Sequence, residues 1–192
     1  MAPSKRELAL ALAQEGWGVF PVWHVMPDGT CACGDPKRAH IGKHPRCNGG
    51  HTAASTEPDD IDVWWSHGEE APIGFAWECS PDSNIGLAIP ADLIMVDIDP
   101  RNGGTETFQA LDASTEHGFP ATYEVASGSG GAHMGYLVPE DLAFPKNLDA
   151  LGFGKGIDIK QFGGYVLGAG SNHKSGGTYA KANDLPLVPA PA

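Results

Sequence analysis

The segment 93–100, Leu-Ile-Met-Val-Asp-Ile-Asp-Pro, constrains the fold more than any other part of the sequence. Its four leading apolar residues predict a buried β-strand, which Pro100 ends because proline cannot donate to a sheet ladder. Side chains alternate along a strand, so Asp97 and Asp99 are expected on one face while Ile98 points into the core. Two neighbouring carboxylates repel each other unless a cation or a shared proton lies between them. The segment therefore predicts an oxygen-rich site for Mg²⁺ or Mn²⁺. The alternative is a strand end whose aspartates face water or cap a helix.

The rest of the chain predicts an α+β (α/β) fold. Ser4 and Glu7 have capping-box spacing, and we expect helices over 4–16, 57–65 and 105–116. Glycine-rich turns separate the later strands, which favours an antiparallel or mixed sheet. The predicted strands cover residues 17–23, 84–89, 93–99, 122–126, 132–138, 156–161 and 165–168. Residues 1–184 form the predicted catalytic domain, and the proline-rich residues 185–192 are expected to be a tail or linker of a longer chain.

Composition limits the function classes. The chain has 192 residues, 41% of them hydrophobic, which suffices for one sizeable core or a core plus a small module. No apolar run is long enough to span a bilayer and no secretion signal is present, so we expect no membrane partner and a cytoplasmic location. The net charge of −12 excludes a broad basic surface that coats nucleic acid. A local basic patch remains, formed by Lys37, Arg38, Lys43 and Arg46.

Residues 24–53 lack periodicity but hold three of the four cysteines and four of the eight histidines. Four thiolate or imidazole ligands could close a structural Zn²⁺ site and stabilise a loop too polar to have its own core. The predicted zinc ligands are Cys31, Cys33, His44 and Cys47, with His40 as the main competitor. A polar loop with unrelated cysteines is the alternative. Cys79 stands alone and is expected to be a small buried apolar residue.

Two later segments extend the predicted carboxylate site. Small residues between Ser127 and His133 let backbone N–H groups approach an anion, although a glycine-rich hairpin has the same composition without a ligand. Ser129 lies in the same loop. Asp158 and Lys160 share one face of a strand and offer a third carboxylate and a phosphate-binding ammonium, or else a simple surface pair. His173 and Lys174 lie in another glycine-bounded loop and could contact phosphate.

Together these segments resemble the bifunctional DNA primase/polymerase domain of the archaeo-eukaryotic primase superfamily, which is common in phages and plasmids. The resemblance covers nearly the whole chain. The order and spacing of the segments carry it, since each one alone is weak. The matching segments are Gly16–Pro21, the loop from Cys31 to Pro45, Trp64-Trp65, Asn84–Leu87, Val96–Pro100, Gly128–His133, Gly156–Asp158 and Gly164–Val166.

The resemblance implies an RNA-recognition-like sheet fused to an N-terminal α/β unit with a zinc loop, and templated nucleotidyl transfer by two divalent metals. It implies that Asp97, Asp99 and Asp158 bind the metals and that His133 contacts the incoming nucleoside triphosphate. The loop with His173 matches a family segment near the end of the domain, and Ser127, Ser129, Lys160 and His173 are the further candidates for nucleotide binding. Expected partners are a single-stranded DNA template with its primer, nucleoside triphosphates and a helicase that is C-terminal or separate.

Two departures from the family pattern leave alternatives open. Relatives that bind zinc usually have a third cysteine near the position of Arg38, so Cys47 or His40 must take its place. Position 131 is glycine where many relatives have a hydroxyl residue. A catalytically weak nucleic-acid- or nucleotide-binding module is the second hypothesis, and another metal-dependent phosphotransferase or nuclease is the third.

Overall fold

The computed structural model describes residues 2–37, 39–69, 71, 73–139 and 154–191. The chain divides into two compact units, which are described separately. The first comprises residues 1–88 and 167–180, and the second comprises residues 89–166 and 181–192. Among the described residues, no helix is both long and apolar enough to cross a membrane.

The first unit contains helices α1 (Lys5–Gln14) and α2 (Pro58–Trp64) and strands β1 (Val19–Val22) and β2 (Asn84–Ala88). The predicted capping box is present, since Ser4 and Glu7 exchange side-chain and backbone hydrogen bonds at the start of α1. Strand β1 is antiparallel to β2, with Pro21 opposite Ile85. β1 is an edge strand, as Pro21 predicts. Leu167, at the end of β7 (Tyr165–Leu167), continues this sheet on the far side of β2.

The second unit is built on a larger sheet of six strands. They are β3 (Leu93–Ile98), β4 (Glu124–Ala126), β5 (Ala132–Leu137), β6 (Ile157–Lys160), β8 (Ala180–Lys181) and β9 (Val188–Pro189). The order is β6-β3-β5-β4-β8, and β9 runs parallel to β5 beside it. Strand β3 pairs antiparallel with both β5 and β6.

One face of this sheet is covered by α3 (Gly104–Ser114). Ile94, Val96 and Ile98 of β3 alternate onto that face, where Ile157 and Ile159 of β6 extend the apolar surface. Phe108 and Leu111 of α3 pack against the cluster. Because side chains alternate along a strand, Asp97 and Asp158 belong to the opposite face.

The predicted helices and strands are confirmed, with ends that shift by one or two residues in most cases. The spacing of apolar residues was the pattern that predicted these helices and strands. Residues 185–192 were expected to be a tail or linker, and here Val188–Pro189 form a strand of the second unit. The Ala190 N–H donates to the Leu137 carbonyl at 2.9 Å, which fixes this segment to β5. A proline is compatible with this position because β9 is short and lies at an edge.

Candidate active site

Two carboxylates face each other across neighbouring strands. Asp97 of β3 and Asp158 of β6 are directly opposed in the antiparallel register, so their side chains emerge on the same face. The side chains are 30% and 51% exposed, which leaves both accessible from solvent. Lys160 Nζ lies 3.0 Å from Asp158 Oδ2 and 3.9 Å from Asp97 Oδ2. A cation therefore lies beside both carboxylates, as two opposed anions require.

A histidine completes the row on the other side of Asp97. His133 of β5 is opposite Asp97 in the register of β3 and β5. Its Nε2 atom lies 3.4 Å from Asp97 Oδ1, and its side chain is 7% exposed. Three adjacent strands thus place Asp158, Asp97 and His133 in one line across the sheet. This register agrees with the sequence-based prediction that Asp97, Asp158 and His133 lie together.

Asp99 has a different local structure from the one expected. Strand β3 ends at Ile98, and Asp99 caps a 3₁₀ turn over Pro100–Asn102. The Arg101 guanidinium donates two hydrogen bonds to its carboxylate, from Nε to Oδ1 and from NH2 to Oδ2, both at 2.9 Å. These bonds lower the pKa of Asp99 below its ordinary value. Helix capping was one of the alternatives open from sequence, and it is the contact that this structure contains.

The three carboxylates do not form a single tight cluster. In the part of the chain that the structure describes, one group of three metal-type ligands has all its ligand atoms within 4.8 Å of one another, and it consists of Cys31, Cys33 and His44. The carboxylates are instead separated into an Asp97–Asp158 pair and the capped Asp99. Strand β6 is also the outermost strand of the described sheet, so Asp158 lies at an edge rather than in the centre.

Glycines determine how the backbone passes Asp99. A Cβ atom on Gly131 would overlap the Ile98 carbonyl oxygen, so the loop before β5 can approach the end of β3 only without a side chain. Gly104 and Gly156 are in similar main-chain contact, and a Cβ on either would overlap backbone atoms of the other. The Asp99 N–H donates to the Gly156 carbonyl at 2.8 Å, and the Gly104 N–H donates to the Asp99 carbonyl at 3.0 Å. Two chain segments, at Gly104 and Gly156, therefore hold Asp99 by its backbone, and Gly131 packs against the preceding Ile98 carbonyl.

Residues 127–131, which we call the serine loop, form a tight turn beside the Ile98 end of β3. Ser127 Oγ accepts a hydrogen bond from the Gly131 N–H at 3.0 Å and lies 3.1 Å from Ser129 Oγ. The Ser127 N–H donates to the Gly131 carbonyl at 2.8 Å, which makes the turn tight. Both hydroxyls thus lie in the turn between β4 and β5, six and four residues before His133. Position 131, where many relatives have a hydroxyl residue, is glycine here, and Ser127 and Ser129 place two hydroxyl groups in the same loop.

A separate cluster in the first unit joins the predicted zinc ligands. Cys31 Sγ lies 4.0 Å from both ring nitrogens of His44, and Cys33 belongs to the same group. Around a tetrahedral zinc ion, bonds of about 2.3 Å to sulfur and about 2.0 Å to nitrogen separate two such ligand atoms by about 3.6 Å. The observed spacing is slightly longer than that, and two thiols with one imidazole are the donors that zinc prefers. These three residues therefore fit a metal ion.

Neither candidate for a fourth zinc ligand, Cys47 or His40, belongs to this group among the described residues. The Cys47 thiol is buried and lies 3.8 Å from the Gly50 carbonyl oxygen, toward which it donates. Burial raises the pKa of Cys47 to about 11. His40 is exposed, and its carbonyl oxygen lies 3.3 Å from His44 Nδ1. The Cys47 thiol thus contacts Gly50 and is not a member of the ligand group, whereas Arg38 lies outside the described residues. Cys79 is buried, as expected, and none of the four cysteines forms a disulfide.

His173 lies in the first unit and is 3% exposed. Its Nδ1 accepts a hydrogen bond from the Ser175 N–H at 3.1 Å and is 2.9 Å from Ser175 Oγ. The preceding Asn172 is tied to Asn84 by two hydrogen bonds, of 2.8 and 2.9 Å. The loop that carries His173 is therefore held firmly within its own unit.

Comparison with known proteins gives the family. The profile of bifunctional DNA primase/polymerase, N-terminal (Prim-Pol), matches residues 9–192, which is nearly the whole chain. The chain belongs to this family. A comparison with curated protein sequences finds no match for this Prim-Pol domain. Membership implies a nucleotidyltransferase-type role in DNA priming or polymerisation, with DNA and nucleotides as binding partners.

Sequence reasoning missed two residues that contact the Asp99 side chain. Arg101 and Asn102 hold the Asp99 carboxylate, and Asn102 Nδ2 donates to Oδ2 at 2.9 Å. The signal was the dipeptide Arg-Asn directly after Asp99-Pro100 and before two glycines. Such a segment favours a tight turn, in which the side chains of residues i and i+2 come within reach of each other.

Proposed function

We propose that this domain is a template-directed DNA primase/polymerase that joins nucleotides with the help of two divalent metals, Mg²⁺ or Mn²⁺, in replication of the phage or plasmid type. The observation that carries the proposal is the opposed pair of Asp97 and Asp158 with His133 beside it. Membership of the Prim-Pol family supports the reaction class, and the geometry supports the choice of residues.

Asp97, Asp99 and Asp158 would hold the metals. When bound, such ions activate the primer 3′-hydroxyl and neutralise charge on the departing pyrophosphate. The opposed carboxylates fit this role because they already form a place where a cation is favourable, beside Lys160 Nζ. Their 30% and 51% exposed side chains allow an ion to enter from solvent.

The remaining residues would bind the nucleoside triphosphate. His133 contacts a phosphate oxygen from its position next to Asp97, while Lys160 adds positive charge on the other side. The hydroxyls of Ser127 and Ser129 and the backbone amides of their loop offer hydrogen bonds to phosphate. His173, whose loop matches a family segment, is a further candidate for nucleotide binding. These groups orient the triphosphate so that the chemistry needs little reorganisation.

Cys31, Cys33 and His44 would hold a structural Zn²⁺ ion in the first unit, with Cys47 or His40 as candidates for the fourth position. The loop has few apolar side chains of its own, so a metal ion would supply the stability that a core otherwise provides. Thiols must lose a proton to bind zinc, and burial raises the pKa of Cys31 in the metal-free protein. A metal ion would reverse that preference.

The partners follow from the same assignment. A single-stranded DNA template with a primer and nucleoside triphosphates are the substrates, and a helicase region is the proposed replication partner. With a net charge of −12, the isolated domain should bind template weakly. A nanomolar complex with single-stranded DNA that is insensitive to salt would contradict this.

One observation favours the second candidate, a catalytically weak nucleic-acid- or nucleotide-binding module. Each carboxylate already has a cationic partner, Lys160 for Asp97 and Asp158 and Arg101 for Asp99. Such pairing could serve stability alone. Activity measurements decide between the two functions.

The test is a primer-extension assay with Mg²⁺ or Mn²⁺, with deoxyribonucleotides and ribonucleotides supplied separately. We expect the wild-type protein to extend a primer and Asp97→Asn to be inactive. Asp92→Asn is the matched control, since Asp92 is an exposed acid just before the same strand. No incorporation by the wild type on any primed or unprimed template would reject the proposal. Activity in Asp97→Asn equal to the wild type would reject the residue assignment.

A further inference from the structure

The carboxylate of Asp99 is fully occupied by two neighbouring residues. Arg101 contributes its backbone N–H at 3.1 Å and its Nε and NH2 groups at 2.9 Å each. Asn102 Nδ2 contributes a fourth hydrogen bond at 2.9 Å. A guanidinium that binds both oxygens of a carboxylate has the strongest geometry available to an ion pair. A metal ion therefore cannot bind these oxygens while all four contacts persist.

The ion pair between Arg101 and Asp99 has good geometry, but it is accessible to ions from solvent that could replace the guanidinium. Arg101 is two residues from Asp99 within one 3₁₀ turn, so the pairing needs no other part of the fold. The side chains of Arg101 and Asp99 are 53% and 25% exposed, which gives water and ions access to the pair. Exposed ion pairs contribute little net free energy because water screens them. A divalent cation, with twice the charge, can displace the guanidinium from the carboxylate.

A displaced Arg101 would remain close to the site. Its backbone is fixed by the turn, since Gly103 adopts a left-handed conformation with φ 82° and the Gly104 N–H donates to the Asp99 carbonyl. The guanidinium can then move only by rotation of its own side chain. The planar fork that matches a carboxylate also matches a phosphate, and two such contacts orient the phosphate as well as attract it.

We propose that Arg101 is an exchangeable counter-ion of Asp99: a divalent metal displaces its guanidinium from the carboxylate, and the freed guanidinium then binds a phosphate of the incoming nucleoside triphosphate. This inference rests on the proposed function, because it takes Asp99 as a metal ligand. Lys160 has the corresponding arrangement beside Asp97 and Asp158, so two basic side chains offset most of the charge of the three carboxylates. The lowered pKa of Asp99 agrees with a carboxylate that is ionised and paired in the absence of metal.

The proposal predicts opposite effects of one substitution on two binding reactions. In Arg101→Gln the carboxylate loses its competitor, so Mn²⁺ alone should bind at least about threefold more tightly than to the wild type. The same variant lacks the phosphate contact, so deoxyadenosine triphosphate at saturating Mn²⁺ should bind about tenfold more weakly. A residue with only a structural role would shift both affinities in the same direction or neither. Calorimetry measures both, and electron paramagnetic resonance counts free Mn²⁺ independently.

Two further variants serve as controls for the loss of an ion pair and for the loss of charge. Arg6 forms an equivalent two-bond pair with Asp62, at 2.9 and 2.7 Å, in the first unit. Arg6→Gln should leave both affinities unchanged. Arg101→Lys keeps the charge but not the fork, so its nucleotide affinity should fall between those of the wild type and Arg101→Gln. Unaltered circular dichroism establishes that each variant is folded.

The outcomes separate this inference from the proposed function. If Asp99→Asn binds Mn²⁺ as well as the wild type does, Asp99 is not a metal ligand and that part of the proposed function fails. If Asp99→Asn loses affinity but Arg101→Gln does not gain Mn²⁺ affinity, the exchange role of Arg101 is wrong while the metal site stands. Unchanged nucleotide affinity in Arg101→Gln would likewise overturn the phosphate contact.

Discussion

Asp97 and Asp158 are directly opposed on adjacent antiparallel strands, and the ammonium group of Lys160 lies 3.9 Å from one carboxylate and 3.0 Å from the other. Opposed like charges destabilise a sheet, and a counter-ion between them offsets this repulsion. Under the proposed function, stability and catalysis therefore depend on the same carboxylates in opposite ways.

Removal of one opposed carboxylate should separate stability from activity. In Asp158→Asn the repulsion across β3 and β6 disappears, so the free energy of unfolding should stay within about 0.5 kcal/mol of the wild type or rise. Nucleotide incorporation should nevertheless be lost. Thermal denaturation and primer extension on the same preparation measure the two effects. A variant that is both strongly destabilised and inactive would contradict the prediction, since inactivity would then follow from unfolding.

Removal of the Lys160 ammonium, the counter-ion of the two carboxylates, should lower the stability of the fold. Lys160→Met leaves Asp97 and Asp158 opposed without their cation, and we expect a loss of about 1 kcal/mol in the free energy of unfolding at low ionic strength. Mn²⁺ should then stabilise the variant more than it stabilises the wild type, because the ion fills a place that Lys160 no longer occupies. Denaturation curves with and without Mn²⁺ test this. Lys155→Met provides a control for the loss of a lysine. Equal stabilisation of the wild type and Lys160→Met would count against a cation site at this pair.

The glycine at position 131 should be indispensable to the fold of the site. Its Cβ would overlap the Ile98 carbonyl oxygen, so Gly131→Ala must move either β3 or the serine loop, at a cost of about 3 kcal/mol. Gly130 is a matched control: it has φ +85° but no atom within 4 Å of its virtual Cβ. Gly130→Ala should cost only about 1 kcal/mol, from the left-handed conformation. Urea denaturation measures both, and equal losses would show that the close approach is not the cause.

Zinc content should depend on three residues of the first unit. We expect about one zinc ion per purified chain, and loss of that ion in Cys31→Ser, Cys33→Ser or His44→Ala, since these residues form the ligand group. Cys79→Ser should retain the metal, because Cys79 is buried away from that group. Elemental analysis by mass spectrometry measures the content. Cys47→Ser addresses the open fourth position: retention of zinc would remove Cys47 from the candidates and leave His40.

The pH dependence of stability should contain a contribution from Lys5. Burial lowers the pKa of Lys5 from 10.5 to about 8 in the folded protein. Between these values the unfolded chain binds a proton that the folded chain does not, so this group makes stability rise with pH from about 8 to 10.5. Other groups titrate in the same range, Cys47 among them, so the comparison is with Lys5→Met. The variant should lack the rise, and identical pH profiles would contradict the prediction.

Local patterns in the sequence were sufficient to predict most elements of the fold. The apolar alternation in β3 and β6 placed the isoleucines on one face and Asp97 and Asp158 on the other, and the registers agree with that expectation. The family was also recognised from the order of short segments, and the profile match confirms it. These features depend on residues close in sequence, which is why one sequence reveals them.

Features that depend on pairing between distant segments were not predictable. The sequence indicated that Asp97 and Asp99 share a face. It could not show that the Arg101 side chain turns back onto Asp99, or that the Lys160 ammonium lies beside Asp97 of the neighbouring strand. Strand β9 was missed because Val188 and Pro189 have no alternation, and their pairing with Tyr136 and Leu137 is a long-range contact. In the zinc loop, spacing made Cys47 a candidate ligand; its thiol contacts the Gly50 carbonyl oxygen, and its role as a ligand stays a prediction.

The main-chain contacts among Gly104, Gly131, Gly156 and the Asp99 segment have a consequence for protein engineering. Because backbone atoms make these contacts, they do not depend on the side chains of Asp97, Asp158 and Lys160. A library can therefore vary these three residues on an unchanged frame, whereas Asp99 and Ser127 accept hydrogen bonds from backbone N–H groups and should be kept. The three glycines should be left out of such a library, because nearly every variant at those positions would be lost before its chemistry could be assayed.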